Sequence, residues 1–255
     1  MKKKLLGVLS LTLVAMMLFA ACSGSGGGNG DTTGSDTTAP NEVTTTAPQA
    51  TVSSAGTTTR DDLKFGLIGE PKTMDPTEVS DLVSFTFFFQ RYDYLIRFGA
   101  DDQLRPGIAE SWETSDDGMQ ITYHLRDDVK FWNGDPVTAD DVVFSINKAI
   151  QSSYTNSSTN MMDNMEKVDD KTVVLNLKFP YGPIDYCISS AQMAIIQEKH
   201  FNDVGGTEGF ARNPMGSGPY KLESWASGDK VVLVDNDDYY RGDPQIKSMT
   251  FTITT

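Results

Sequence analysis

The fold is decided by the stretch Val129-Lys130-Phe131-Trp132-Asn133-Gly134-Asp135-Pro136-Val137-Thr138-Ala139-Asp140-Asp141-Val142-Val143-Phe144-Ser145. Asn133-Gly134 is a pair typical of a tight turn, and both residues are expected to supply its positive backbone angles. Thr138 follows as a helix N-cap, and Asp141 resembles the acid of a capping box with a side chain one methylene too short. Apolar residues then recur at helical spacing, at Val142, Val143, Ile146 and Ile150. The stretch predicts a turn followed by an amphipathic helix.

Segments on both sides of this stretch predict strands and a second helix. Ile121, Tyr123 and Leu125 alternate with polar residues, which is typical of a half-buried strand. Residues 82–96 are apolar and aromatic enough for a mostly buried helix. Further strands are expected at 63–68, 172–177, 231–234 and 249–253. Together these elements predict an α+β fold with a mixed sheet.

The N-terminus has the pattern of an exported protein. Three lysines at positions 2–4 precede an apolar run that ends in Leu18-Phe19-Ala20-Ala21-Cys22, which is typical of a signal peptide over residues 1–21. The end of this run resembles the lipobox of bacterial lipoproteins, apart from Phe19, where a branched aliphatic residue is usual. The resemblance implies lipidation of Cys22. The alternatives are an ordinary signal peptide with an incidental cysteine, or a transmembrane segment, which the short run and the lack of following charges disfavour.

Residues 22–60 predict a flexible stalk that carries the lipidated cysteine at its start. Gly, Ser, Thr, Ala and Pro dominate this segment, and Val43 and Val52 are its sizeable apolar side chains. Such a composition buries too little apolar surface to offset the entropy lost on ordering. A stalk of this kind would hold a folded domain, beginning near residue 61, away from a membrane.

Composition and spacing argue against several kinds of chemistry. The chain of 255 residues has a formal charge of −14, which repels phosphate backbones and predicts no nucleic-acid partner. His124 and His200 are isolated and no CxxC occurs, so we expect no metal site and no cofactor. No catalytic residue is assigned, because the sequence has neither a nucleophile elbow nor paired acids in a recognisable setting. Cys187 is expected to be a small buried apolar residue.

One glycine-rich loop needs a separate interpretation. Gly216-Ser217-Gly218-Pro219 predicts a sharp bend before a strand that begins at Tyr220. The loop lacks the Lys-Ser/Thr ending and the following helix of a phosphate-binding loop. We therefore interpret it as a structural bend rather than a phosphate site.

Three blocks of sequence resemble one family of proteins. They are Gly69-Glu70-Pro71-Lys72-Thr73-Met74-Asp75-Pro76, the residues from Ile108 to Ser145, and the segment that runs from Asn213 to Tyr240. In this order they are similar to the signature blocks of the family 5 extracellular solute-binding proteins, the oligopeptide and dipeptide receptors of ABC importers. The resemblance implies a partial fold of the periplasmic-binding-protein type II class. We expect residues 61–82 and 190–255 to form a first lobe, residues 83–189 an inserted α+β domain, and a second lobe to be missing.

The same resemblance implies a function. The protein would bind extracellular oligopeptides or dipeptides without altering them, as a monomer, and deliver them to ABC permease and ATPase subunits. It would act at the outer face of the bacterial cytoplasmic membrane, anchored through Cys22. Matching positions imply that Glu70, Pro71, Lys72 and Thr73 form the edge of the ligand cleft, with Tyr154 as a further contact. Another solute (a nickel complex, haem or a sugar) and a role as a surface sensor are the alternatives.

Overall fold

The computed structural model describes residues 60–99 and 101–254. The expected signal peptide, Cys22 and the expected stalk up to residue 59 lie outside the described residues. Within the described ranges, no helix is long and apolar enough to cross a membrane.

The described chain contains ten strands and six α-helices, together with a short 3₁₀ turn at Ala191–Met193. In chain order the elements are β1 (Asp62–Leu67), α1 (Leu82–Arg91), β2 (Ile96–Phe98), β3 (Leu104–Pro106), β4 (Ala109–Thr114), β5 (Gln120–Leu125), α2 (Ala139–Gln151), α3 (Asn156–Thr159), β6 (Met162–Asp169), β7 (Thr172–Leu177), α4 (Ile184–Ile188), α5 (Glu198–Asp203), α6 (Thr207–Phe210), β8 (Tyr220–Ala226), β9 (Lys230–Asp235) and β10 (Ser248–Ile253). The predicted strands are confirmed, with ends that differ by about one residue.

The strands form two four-stranded sheets and one small hairpin. The first sheet has the order β1-β10-β9-β8, in which β1 is parallel to β10 and the other neighbours are antiparallel. The second sheet has the order β4-β5-β7-β6 and is antiparallel throughout. Strands β2 and β3 form the hairpin. The mixed first sheet confirms the expected α+β class.

Each large sheet packs its apolar face against one helix. On the first sheet, Leu233 and Phe251 join a buried cluster with Phe87 of α1. On the second sheet, Tyr123 and Leu175 join a larger cluster with the apolar face of α2. Cys187 packs beside this larger cluster but remains partly exposed, so the expectation of a small buried apolar residue is met only in part.

The turn and the cap before α2 form as predicted, with two differences in detail. Gly134 alone of the Asn133-Gly134 pair has a positive φ, of 88°, because the Phe131 carbonyl accepts a hydrogen bond from the Gly134 amide and closes the turn before it. The capping box is complete, since the Thr138 amide donates to Asp141 Oδ2 over 3.0 Å and the Asp141 amide donates to Thr138 Oγ1 over 3.2 Å. The shorter acid therefore reaches the cap without the extra methylene.

Helix α1 ends at Arg91, five residues before the predicted end at residue 96. Tyr92 is already extended, with φ −114° and ψ 157°, and the Arg91 carbonyl accepts a hydrogen bond from the Gly218 amide over 3.0 Å. A Cβ on Gly218 would lie 2.5 Å from the Arg91 carbonyl carbon, so only glycine permits this approach. The helix ends here because the Gly218 amide, from a loop distant in sequence, bonds the Arg91 carbonyl that the next helical turn would otherwise use.

Candidate functional site

The predicted loop from Glu70 to Thr73 begins just beyond one edge of the first sheet. The parallel strands β1 and β10 end side by side at Leu67 and Ile253, and the Thr254 amide donates to the Leu67 carbonyl over 2.8 Å. Loops that follow the carboxyl ends of neighbouring parallel strands are a common position for ligand sites in α/β proteins. The backbone therefore places the loop where a binding cleft is expected.

Glu70 is held by the turn between β8 and β9. Its Oε1 accepts a hydrogen bond from Trp225 Nε1 over 2.7 Å, and its Oε2 accepts from Ser227 Oγ over 3.0 Å and from the Gly228 amide over 3.1 Å. Arg212 Nη1 lies 4.0 Å from Oε1. The carboxylate thus joins two parts of the chain about 155 residues apart, at the edge where β1 ends.

These contacts favour the ionised form of Glu70. The hydrogen bond from Ser227 lowers the pKa of Glu70 from its ordinary value, and the bonds from Trp225 and Gly228 and the charge of Arg212 act in the same direction. Partial burial opposes them. A carboxylate that accepts three hydrogen bonds has little acceptor capacity left for a ligand, so this residue mainly positions the loop.

The other three loop residues differ in what they present to solvent. Pro71 and Thr73 are buried, and the Thr73 hydroxyl accepts a hydrogen bond from the Asp75 amide over 3.0 Å. The Lys72 side chain is 76% exposed, with Nζ 3.8 Å from a carboxylate oxygen of Asp81. Lys72 therefore carries the accessible charge of this loop.

The continuation of the loop is fixed to α2 by a buried ion pair. Lys148 Nζ lies 3.2 Å from Asp75 Oδ2 and 3.2 Å from Glu78 Oε1, and it donates to the Thr77 hydroxyl over 2.5 Å. Asp75 is fully buried, and its Oδ1 accepts hydrogen bonds from the amide and hydroxyl of Thr77 over 3.0 and 2.9 Å. The sequence analysis did not single out Lys148, because its partner lies more than 70 residues away.

Tyr154 lies in the loop after α2, and the structure connects that loop to the one that carries Glu70. Gln192 Nε2 donates to the Tyr154 carbonyl over 3.0 Å and to the Val79 carbonyl over 2.8 Å. The hydroxyl of Ser152 donates to the Thr77 carbonyl over 2.5 Å. These bonds fix the backbone of Tyr154, while its side chain remains 51% exposed.

A small cavity of about 310 Å³ is lined by two of the residues that interact with Glu70. Its walls include Trp225 and Arg212, whose guanidinium lies 3.6 Å from the centre of the Trp225 ring. This stacked cation contributes roughly 0.5–1 kcal/mol where it is exposed to solvent. The sequence analysis missed both side chains as site residues, although each lies within or next to a family block.

A larger cavity of about 680 Å³ contains none of the predicted site residues. Its lining includes Phe89, Tyr94, Phe98 and Tyr186. In the described ranges there is also no group of three or more His, Cys, Asp or Glu side chains placed to hold a metal ion. We therefore locate the candidate site at the Glu70 loop, and we base this choice on strand topology rather than cavity size.

Comparison with known proteins identifies the family. The model of the bacterial extracellular solute-binding proteins, family 5 Middle, matches residues 103–255. The chain therefore belongs to the family 5 bacterial extracellular solute-binding proteins.

Relatives and solved structures agree with this assignment. The probable D,D-dipeptide-binding periplasmic protein DdpA of Escherichia coli K12 is 30% identical over 76% of this chain and 39% of its own length. The oligopeptide-binding protein AppA of Bacillus subtilis is 27% identical over 99% of this chain and 44% of its own length. Its structure with a nonapeptide superposes with a TM-score of 0.68, at 29% identity over 76% of this chain and 40% of that one.

A further solved structure holds a different ligand. MoaA of A. tumefaciens R10, in complex with mannopinic acid, superposes with a TM-score of 0.71, at 32% identity over 76% of this chain and 41% of that one. These binding proteins share the α+β fold described above, which confirms the expected fold class. The present chain spans about two fifths of the length of these relatives.

Proposed function

We propose that this chain is part of a receptor that captures oligopeptides or dipeptides outside the cytoplasm, as a monomer, and presents them to ABC permease and ATPase subunits. The observation that carries the proposal is the loop of Glu70, Pro71, Lys72 and Thr73 at the shared end of β1 and β10, in a chain of this family. Relatives named as dipeptide- and oligopeptide-binding proteins support the choice of ligand. The role is binding without chemical change, and no cofactor is involved.

The proposal includes a division of the folded part into two units. Residues 61–82 and 190–255 form the first lobe, and residues 83–189 form an inserted domain. Support comes from the sheets, since the first sheet uses residues 62–67 and 220–253, whereas the second uses residues 109–177. Glu70 fixes the loop within the first lobe, and Tyr154 belongs to the inserted domain.

Peptide binding is tested by ligand-dependent stabilisation of the purified chain. A ligand that binds only the folded state at a hundred times its Kd adds about 2.7 kcal/mol to the free energy of unfolding. We expect a casein digest to raise the melting temperature by several degrees, and an equimolar mixture of free amino acids to have no such effect. An unchanged melting temperature with every peptide pool would remove peptides as the ligand.

A second candidate ligand is a non-peptide organic acid. The complex of MoaA with mannopinic acid favours it, since that structure shares 32% identity and a TM-score of 0.71 with this chain. The same melting assay with mannopinic acid separates the two candidates, because each predicts stabilisation by one class of compound and not by the other.

Membrane anchoring through Cys22 is also proposed, from the lipobox-like sequence that ends at this residue. Lipidation predicts that Cys22→Ala releases the protein from the membrane fraction or leaves its signal peptide uncut. Fractionation of cells that express each form measures this. Unchanged membrane association of a processed Cys22→Ala protein would show that the anchor is elsewhere.

A further inference from the structure

The larger cavity, of about 680 Å³, lies between three elements of the fold. Phe89 of α1, Phe98 at the end of β2 and Tyr186 of α4 contribute to its walls, and each of these side chains is about half exposed. Solvent therefore reaches the space between them. The volume is within the range of about 300–1,000 Å³ that is usual for small-molecule sites. We call this space the aromatic cavity.

The rings of the aromatic cavity form two tilted pairs. Phe98 and Tyr186 have ring centres 6.0 Å apart with planes at 60°, and Phe89 and Tyr94 have ring centres 5.8 Å apart with planes at 45°. Aromatic rings prefer such offset or edge-to-face contacts, in which the positive edge of one ring meets the negative face of another. The same preference favours a further aromatic ring as the occupant of the space beside them.

Two hydroxyls of the aromatic cavity are buried without a hydrogen-bond partner. Tyr94 is 4% exposed, and neither its hydroxyl nor that of Ser190 has a partner among the described residues. The buried hydroxyl of Tyr92, in contrast, donates to the Met74 carbonyl over 2.5 Å. An unpaired buried hydroxyl destabilises a fold. Because Tyr94 and Ser190 both line the cavity, the polar group of a ligand held there is an available partner for them.

The charged groups of the aromatic cavity favour a neutral ligand. Arg97 lines the cavity, but its Nη1 lies 3.4 Å from the buried Asp93 carboxylate, which balances its charge. Asp102, on the turn between β2 and β3, adds an exposed carboxylate. An anion would be repelled by Asp102, and a cation would be repelled by the guanidinium of Arg97. A quaternary ammonium ion, which aromatic cages also bind, would in addition leave the two hydroxyls unpaired.

We propose that the aromatic cavity binds a neutral aromatic ring that carries a hydroxyl group. The ring packs beside Phe89 and Phe98, and its hydroxyl pairs with those of Tyr94 and Ser190. A phenol both donates and accepts a hydrogen bond, so one such group can satisfy both buried hydroxyls. The ring belongs either to a free phenolic compound or to the tyrosine side chain of a bound peptide. The second form rests on the proposed function, whereas the first does not.

Calorimetry on the purified whole chain tests this proposal with two matched pairs of probes. p-Cresol and toluene present a free ring with and without the hydroxyl group. N-acetyl-tyrosine amide and N-acetyl-phenylalanine amide present the corresponding peptide side chains without a charge. We expect the hydroxylated member of at least one pair to bind about tenfold more tightly than its partner, because it alone pairs with the buried hydroxyls.

Two variants locate the binding in the aromatic cavity. Tyr94→Phe removes one of the buried hydroxyls and should abolish most of the preference for the hydroxylated probe. Phe98→Ala removes a wall and should weaken binding of that probe several-fold. Phe65→Ala is the matched control for the second variant, since Phe65 is 41% exposed, lies on β1 and does not line the cavity. We expect this control to bind as the wild type does.

The outcomes separate the two sources of the ring. Binding of p-cresol that depends on Tyr94 supports a site for free phenols, even if no peptide pool binds and the proposed function fails. Binding of N-acetyl-tyrosine amide without binding of p-cresol supports the peptide side chain. Equal binding within both pairs, no binding of either hydroxylated probe, or binding unchanged in Tyr94→Phe and Phe98→Ala overturns the proposal. Tighter binding of tetramethylammonium than of p-cresol also overturns it.

Thermal melting of the ligand-free protein tests the state of the Tyr94 hydroxyl. Tyr94→Phe removes an unpaired buried hydroxyl, so this variant should melt at the same temperature as the wild type or higher. Tyr92→Phe should melt lower, because it removes a hydroxyl that donates to the Met74 carbonyl. If Tyr94→Phe melts as far below the wild type as Tyr92→Phe does, the fold itself satisfies the Tyr94 hydroxyl, and the proposal is overturned.

Discussion

Removal of the Lys148 amine gives the sharpest test of how the candidate loop is held. Lys148 is 14% exposed, and it lies 3.2 Å from Oδ2 of the fully buried Asp75. Lys148→Met keeps most of the apolar stem and leaves the Asp75 carboxylate without its counter-ion. The loop that carries Glu70 would then lose its main connection to α2.

The size of the destabilisation expected for Lys148→Met follows from the burial of Asp75. Breaking a buried ion pair by removing one partner costs about 3–5 kcal/mol, because a buried charge is left uncompensated. The second contact, to Glu78, adds little, since Glu78 is 33% exposed and pairs near solvent contribute about 0–1 kcal/mol. For a domain of this size about 1 kcal/mol corresponds to 2–4 °C. We therefore expect the melting temperature to fall by about 6–20 °C.

Thermal denaturation followed by circular dichroism measures this, with Lys199→Met as the matched control. Lys199 and its partner Asp203 are 76% and 59% exposed, so we expect the control to leave the melting temperature nearly unchanged. The double variant Asp75→Asn/Lys148→Met should recover part of the loss, because it removes the unpaired charge as well. A decrease for Lys148→Met that is no larger than that of the control would refute the reasoning.

Three further predictions concern single contacts. Glu70→Gln should lower the free energy of unfolding by about 1 kcal/mol at pH 7. Because the folded-state pKa of Glu70 lies below its ordinary value of 4.5, the full difference should be present above pH 4.5 and should vanish as the pH falls through the folded-state pKa. Urea titrations across that pH range measure the difference. Thr138→Ala should cost about 1 kcal/mol in the same assay, through loss of the helix cap. Gly218→Ala should destabilise the fold by about 1–3 kcal/mol, because its Cβ would meet the Arg91 backbone at 2.5 Å. Gly66→Ala, with open space around it, should cost less. Equal losses of stability in the two variants would contradict the steric argument.

Much of the backbone was predictable because the determining signals are local. The cap at Thr138 and the alternation from Ile121 to Leu125 involve residues within one turn or one strand. The end of α1 was not predictable in this way. It depends on the bond between Arg91 and Gly218, which are 127 positions apart. The place of β1 in the first sheet likewise depends on its pairing with β10, near the other end of the described chain.

At the candidate site, too, the contacts between residues distant in sequence could not be predicted. Family blocks located the loop from Glu70 to Thr73, but residue types alone did not reveal which of these side chains are already engaged by the fold. The Glu70 carboxylate meets Ser227 and Gly228 only after β8 and β9 have formed a hairpin. The partners of a polar residue in a loop are set by tertiary structure, and sequence patterns do not encode them.

The predicted site residues differ in how much of each side chain the fold leaves free for a ligand. Glu70 has three of its acceptor positions occupied, whereas Lys72 and Tyr154 expose their side chains on a backbone that is held in place. We therefore expect Lys72→Gln and Tyr154→Ala to weaken ligand binding without lowering the melting temperature of the ligand-free protein. Glu70→Gln should lower both, because it loosens the loop first. Calorimetry and melting curves on the three variants measure this, and a Glu70→Gln protein of unchanged stability that has lost binding would instead make Glu70 a direct ligand contact.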